Sequence, residues 1–314
     1  MAERKCLGLE GTKQKRKRRK VNWNLLILAV PGLIFLIAFY YIPLFGLVIP
    51  FKQIDYKLGI LGSPGAGFSN FEFFFKSQDA FRITKNTLVL NFIFITCTII
   101  LSVVLALLLF ELSSRKVKVY QTAMFMPYFI SWIVASYVLY ALISPQIGLI
   151  PHLLEGMGLP VPNFYNEPKY WTGILTIAYL WKNVGYMTLL FYASLMGIDS
   201  SYFEAAAIDG AGKFKMALKI SIPSLKPVII LMTLLQIGKI FYADFGMFYF
   251  LTKDSGPLYP VTDVIDTYVY RALRVSGNIG MSSAVGFYQS IMGFILVLTS
   301  NLVVRKIDKD SAMF

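Results

Sequence analysis

The sequence predicts an all-α integral membrane protein of about six transmembrane helices, and three observations carry that reading. Of its 314 residues 56% are hydrophobic and 15% charged, whereas an ordinary soluble domain carries about a quarter charged residues. The apolar residues gather into six runs, each long enough to cross a hydrocarbon core of about 30 Å. Lysine and arginine are shared unevenly among the segments between the runs: 19 fall on one alternating set and 9 on the other, the asymmetry that fixes orientation in a membrane.

The chain opens on a basic tail, residues 1–22, with Lys13, Lys15, Arg16, Lys17, Arg18, Arg19 and Lys20. Much of the net charge of +13 therefore sits directly before an apolar run, where it orients a span and gives no reason to invoke nucleic acid. The runs cover approximately 24–50, 88–110, 120–143, 171–196, 227–251 and 281–304. The first is longer than the apolar region of a secretory signal and lacks a small-residue cleavage site after it, so it is expected to remain as an anchor. Placing the tail in the cytoplasm puts 111–119, 198–226 and the C-terminal end on the same side, and 51–87, 144–170 and 252–280 outside. Cys6 and Cys97 lie far apart and predict no disulfide framework. His152, the one histidine, has no visible metal-ligating partner, and no metal site is expected.

Between the fourth and fifth runs lies the polar-leaning segment 199–227. Ser201 followed by Glu204 has the spacing of a capping box. Three alanines, 205–207, favour a helix with a closely approachable surface. The sequence Asp209-Gly210-Ala211-Gly212 breaks that helix, since glycine takes a left-handed conformation without steric cost. A second amphipathic turn, 213–220, is expected to stop at Pro223 and Pro227.

These residues carry a resemblance. Glu204-Ala205-Ala206, Gly210 four residues on, and the ending Ile220-Ser221-Ile222-Pro223 resemble the EAA loop of ABC importer permeases, with Ile222 where the family usually has leucine. Further stretches, among them PYFISWIV (127–134), DVIDTYVYR (263–271) and AVGFYQS (284–290), are similar to the polysaccharide and oligosaccharide branch of the carbohydrate-uptake permeases, related to the maltose importer's membrane subunits. The likeness covers nearly the whole of 23–314, which it implies is one transmembrane permease domain. It implies a multi-pass subunit of a bacterial plasma membrane, both termini cytoplasmic, that forms half of the path of an oligosaccharide importer. It further implies a second permease, two ATP-binding subunits and an extracytoplasmic solute-binding protein as partners. Glu204, Ala205, Ala206, Asp209, Gly210, Ile220 and Pro223 are then the residues expected to couple the spans to the ATPase.

No cofactor is expected on this chain. Gly212-Lys213 is followed by Phe214, where a phosphate-binding loop needs Ser or Thr for magnesium, so ATP and Mg belong to the partner. No catalytic constellation is visible and the chain is not read as an enzyme. Substrate-path candidates come from polarity inside the spans, where a charge is costly and turns toward a cavity. Gln236, Lys239 and Tyr242 recur three residues apart, Asp244 follows, and Asn183 and Gln289 add polar groups to the fourth and sixth runs. Asp244 is close enough in sequence to neutralise Lys239, although five residues suit one helix face poorly. Lys239 and Lys182 can each line the path or serve structure. A lysine in the path would favour an acidic sugar such as a uronate-containing oligosaccharide. Gly286, Ser290 and Gly293 form a small-residue face expected to serve helix packing. Other readings are a permease for a different solute class, or an ion-coupled secondary transporter, which would need midplane carboxylates and inverted repeats.

Overall fold

The computed structural model describes residues 23–307, so the predicted basic tail and residues 308–314 lie outside the described residues. The chain divides into two units, Met1–Leu47 and Val48–Phe314. The first contains helix α1 (Trp23–Leu36), which continues through a π turn at Ile37–Tyr41. Residues Leu26–Phe51 form one helical stretch apolar enough to cross a membrane.

The second unit is built from α2 (Ser69–Lys76), α3 (Gln78–Phe110), α4 (Ser114–Phe125), α5 (Trp132–Ile143), α6 (Leu149–Gly156), α7 (Trp171–Leu195), α8 (Ser200–Ile208), α9 (Ile222–Ile237), α10 (Ile265–Arg274) and α11 (Ile279–Ile307). Five helical stretches in the described chain are long and apolar enough to span, and six if the bent pair α4–α5 counts as one. No strand occurs among the described residues beyond an isolated bridge between Lys52 and Gly65. Helices and closed barrels alone satisfy every backbone group inside lipid, which accounts for this economy.

The axis of the unit is α3 against α7. Lipid supplies little hydrophobic drive between helices, so close packing and small residues decide the contact. Ala106 and Ser102 of α3 are fully buried, and Ser102 Oγ donates to Val184 O at 3.2 Å. On the opposite side of α7, a Cβ added to Gly185 would stand 1.9 Å from Met124 O, so glycine alone lets α4 approach. Ala106, Met187, Phe191, Leu195 and Leu225 close one end of the core. Leu90, Phe94, Trp132, Trp171, Met247 and Phe248 fill its middle. Phe74, Ile83, Phe241, Ile265 and Val285 form a third cluster.

Two of the predicted spans are not continuous helices. The run 120–143 is broken by a 99° bend between α4 and α5. Pro127 lies in a 3₁₀ turn before the break, and Ser131 restarts the chain as an N-cap, its side chain accepting from Val134 N. The run 227–251 holds its helix only to Ile237. A non-helical stretch follows, and a π turn at Met247–Leu251 closes the run. Conversely, α3 begins at Gln78, ten residues before its apolar run, since Gln78–Thr87 is helical though too polar for a hydropathy window to include.

Candidate functional site

The segment 199–227 forms a helical hairpin at the end of the unit that also carries Glu111. Phe203 packs on Phe110 with ring centroids 5.4 Å apart, and Lys213 pairs with Glu111 at 2.7 Å on the surface. The cap is not the predicted one. Asp199 is the N-cap of α8 and accepts from Ser201 N at 2.9 Å, whereas Ser201 lies inside the helix. The backbone bond from Ser201 N, with a further bond from the Ser201 side chain, holds the Asp199 carboxyl below its usual range, because a hydrogen-bonded carboxylate prefers its charge. Glu204 is thereby freed from a capping role and is solvent-exposed, as are Ala205 and Asp209, with Ala206 half-buried.

Asp209 ends α8 and Gly210 follows at φ +73°. Gly210 N donates to Ala207 O at 3.0 Å and Ala211 N to Ala206 O at 2.9 Å, the paired bonds of a Schellman ending. Past the turn the sequence-based stop is overturned: Pro223 and Pro227 do not end the second helix. Lys213–Met216 runs through a π turn at Ala217–Ser221, which contains Ile220, directly into α9, with Pro223 in its first turn and Pro227 within it. A proline in the first turn costs no hydrogen bond, and the wider π turn accommodates the entry. The hairpin is therefore continuous with a membrane span. Tyr202, Ile208 and Phe214 are 63%, 87% and 79% exposed around Glu204. Sequence reasoning left these three out, since apolar residues in a short amphipathic helix normally face inward.

A second polar locus lies where α9 ends. A cleft of about 300 Å³ is lined by Asn91, Tyr179, Asn183, Gln236, Lys239, Tyr242 and Asp244 together with Ile95 and Ala243. Five of the six substrate-path candidates, Gln236, Lys239, Tyr242, Asp244 and Asn183, thus meet in one cavity. Gln289 does not join them. It is 5% exposed, and its Nε2 donates backward to Phe241 O at 2.7 Å and Asp266 Oδ2 at 3.2 Å. Asn91 and Tyr179 are the members that the sequence reading passed over. Asn91 lies on the most apolar span, yet its Nδ2 donates to Ile240 O at 2.8 Å. Tyr179 stacks on Phe94 at 4.6 Å.

The cleft exists because the span breaks. Between Ile237 and Met247 backbone groups leave the helical ladder and must find other partners at membrane depth. Asn91 serves the Ile240 carbonyl, Gln289 the Phe241 carbonyl and Asp266 the Ala243 amide at 2.8 Å. Asp244 accepts from Met247 N at 3.3 Å to restart the chain.

The expected pairing of Asp244 with Lys239 is not formed. Asp244 instead accepts from Trp132 Nε1, because the bend in the third span carries that indole to it. Lys239 is exposed and has no counter-ion among the described residues. Lys182 has a structural post. Its Nζ donates to Tyr128 O at 2.8 Å and to Ile130 O, carbonyls released by the bend, and lies 5.3 Å from the Trp132 ring centroid. Lys182→Met is expected to destabilise the folded protein by about 1–3 kcal/mol, since it strands those carbonyls. Lys182→Arg should recover part of the loss, as read by unfolding of the purified protein in graded SDS. On the small-residue face of α11, a Cβ on Gly286 would meet nothing within 4 Å among the described residues, whereas one on Gly293 would stand 3.7 Å from Tyr242 Cε2. Ser290 Oγ is 3.2 Å from the Tyr242 hydroxyl.

Comparisons with known proteins agree on the family. Residues 117–309 match the family described as binding-protein-dependent transport system inner membrane component. The chain is 31% identical to protein LplB of Bacillus subtilis (strain 168) over 93% of its own length and 91% of that protein's. It is likewise 31% identical to the polygalacturonan/rhamnogalacturonan transport system permease protein YteP of the same organism, over 95% and 94% of the two chains. A chain in the crystal structure of a bacterial ABC transporter involved in the import of the acidic polysaccharide alginate superposes with a TM-score of 0.83 at 28% identity, covering 91% of this chain and 96% of that one. The same values hold for that type of transporter in complex with an alginate pentasaccharide-bound periplasmic protein.

Proposed function

Because the chain belongs to the binding-protein-dependent transport system inner membrane component family, we propose that it is the permease subunit of an ATP-driven importer of acidic oligosaccharides. The cleft at the broken fifth span carries this reading. Saccharides present hydroxyl groups and C–H faces together. Asn91, Asn183 and Gln236 offer amide donors and acceptors, and Tyr179 and Tyr242 offer ring faces with hydroxyls. The cleft's cation, Lys239, is unspent, and a uronate carboxylate would complete it. The relatives named for polygalacturonan and alginate transport support the same class.

The subunit forms one half of the path, and a second permease supplies the other. Its first-span tail and its C-terminal end lie in the cytoplasm, as the lysine and arginine bias indicates. That orientation turns the exposed Tyr202, Glu204, Ile208 and Phe214 toward two ATP-binding subunits, which hold ATP and Mg. A surface of this size and apolarity on a short hairpin suits a partner cleft. An extracytoplasmic binding protein delivers the sugar to the opposite end. Movement of the hairpin passes into α9 without interruption and reaches the cleft at the end of that helix, so nucleotide-driven closure reshapes the path directly.

The test is reconstitution of the two permeases, the ATPase and the binding protein in proteoliposomes. Alginate pentasaccharide should stimulate ATP hydrolysis and accumulate inside. Lys239→Gln should weaken uptake of the charged sugar by roughly tenfold or more, the worth of one charge-assisted hydrogen bond, and leave a carboxyl-reduced neutral analogue unaffected. Equal uptake of both sugars by wild type and variant would refute the acidic-sugar reading.

A further inference from the structure

The stretch DVIDTYVYR, which the sequence likeness singles out, contributes no side chain to the cleft. Its two acids face different ways. Asp263, 1% exposed, pairs with Arg82 at 3.2 Å and with Arg271. Asp266, in the first turn of α10, reaches behind the cleft. Its Oδ2 accepts from Ala243 N at 2.8 Å and from Gln289 Nε2 at 3.2 Å, and the same Nε2 donates to Phe241 O at 2.7 Å. One carboxylate oxygen and one amide thus hold the backbone on both sides of Tyr242.

The consequence is visible in the alternation of the broken segment. Phe241 and Ala243 are buried at 2% and 9%, Ala243 still bordering the cleft, while Tyr242 and Asp244 are exposed and line it. The broken segment keeps only turn bonds of its own, such as Tyr242 N donating to Lys239 O at 2.8 Å, and these leave Phe241 O and Ala243 N to find other partners. Asn91 holds its start through Ile240 O at 2.8 Å and makes a longer contact with Tyr242 O at 3.5 Å, which leaves Phe241 O and Ala243 N to Gln289 and Asp266.

We infer that Asp266 and Gln289 are positioning residues of the sugar cleft, a rear clasp that sets which side chains of residues 241–244 face the substrate. The inference rests on the cleft being the sugar path. It also ties the cleft to Arg82: Asp263, two residues before α10, pairs with Arg82, and Asp266 in the first turn of that helix aims Tyr242. A shift of α10 would therefore re-aim the cleft wall while touching no substrate.

The experiment uses the reconstituted importer with alginate pentasaccharide as probe and compares Asp266→Ala, Gln289→Met, Asp266→Asn and Lys239→Gln. Asp266→Ala and Gln289→Met should raise the KM for uptake about tenfold, the effect of one buried group left unpaired, with a smaller change in maximal rate. Asp266→Asn retains an acceptor for Ala243 N and should stay within about twofold of wild type. Hydrogen exchange at 241–246 should quicken in the first two variants, with 98–106 of α3 unchanged. Unchanged KM and exchange in Asp266→Ala, beside a selective defect in Lys239→Gln, would overturn the clasp alone. If Lys239→Gln is also silent, the cleft reading fails with it. A fall in maximal rate at constant KM would assign Asp266 a purely structural part and overturn the inference. Should wild type not import the pentasaccharide, the acidic-sugar reading falls and the exchange data decide the clasp.

Discussion

Replacing Gly185 by leucine is expected to prevent the second unit from folding in the membrane. A Cβ at this position would lie 1.9 Å from Met124 O and 2.4 Å from Met124 C, and both obstacles are backbone. Overpacking that side chains can absorb costs about 1–3 kcal/mol, but here α4 itself would have to withdraw from α7. Withdrawal would also lift Tyr128 and Ile130 away from Lys182, which sits three residues before Gly185 on the same helix face. Losses on that scale consume much of a typical folding free energy of about 5–15 kcal/mol. Gly173→Ala on the same helix is the control, since nothing lies within 4 Å of its added Cβ. It should be neutral or stabilise by up to about 1 kcal/mol. Yield of monodisperse protein in detergent and resistance to trypsin measure the contrast. Equal yields for the two variants would show that α4 and α7 do not meet as described.

Glu204→Ala and Gly210→Val should each abolish most sugar uptake while leaving the protein folded and membrane-inserted. Glu204 is exposed and makes no side-chain hydrogen bond or ion pair among the described residues, so its removal costs little stability. A lost charged contact with a partner would lower coupling by roughly tenfold to a hundredfold. Gly210 acts through backbone shape. Space around it is open, but its φ of +73° is one that a β-branched residue adopts only with strain. Gly210→Asn, which tolerates the left-handed region, should keep most activity where Gly210→Val loses it. Uptake in proteoliposomes, measured beside ATP hydrolysis by the whole assembly, separates uncoupling from failure to assemble. Full uptake by Gly210→Val would show that the turn transmits nothing.

The parts legible in the sequence were those governed by local chemistry. The apolar runs, the helix over 205–207 and the left-handed Gly210 each depend on residues a few positions apart. The errors have a common cause. Ser201 and Glu204 have the spacing of a capping box, but Asp199 competes two residues earlier and takes the N-cap. Pro223 and Pro227 carry a stop signal that a π turn and a first-turn position neutralise. Gln289 is as polar as Gln236, and only packing sends one behind the cleft wall and the other into it.

By itself the sequence determined that this chain lives in a membrane, which end of each span carries positive charge, and where a short polar hairpin interrupts the apolar pattern. Those properties follow from the solvation of individual residues, and a window of twenty residues contains them. Only the tertiary structure decided where two spans break, that Trp132 and not Lys239 meets Asp244, and that Asp266 and Gln289 hold the cleft from behind. A backbone group released at a break must be satisfied by whichever helix passes nearby. That partner is chosen by three-dimensional packing among residues far apart in sequence, as Asn91 and Ile240 are at 149 positions.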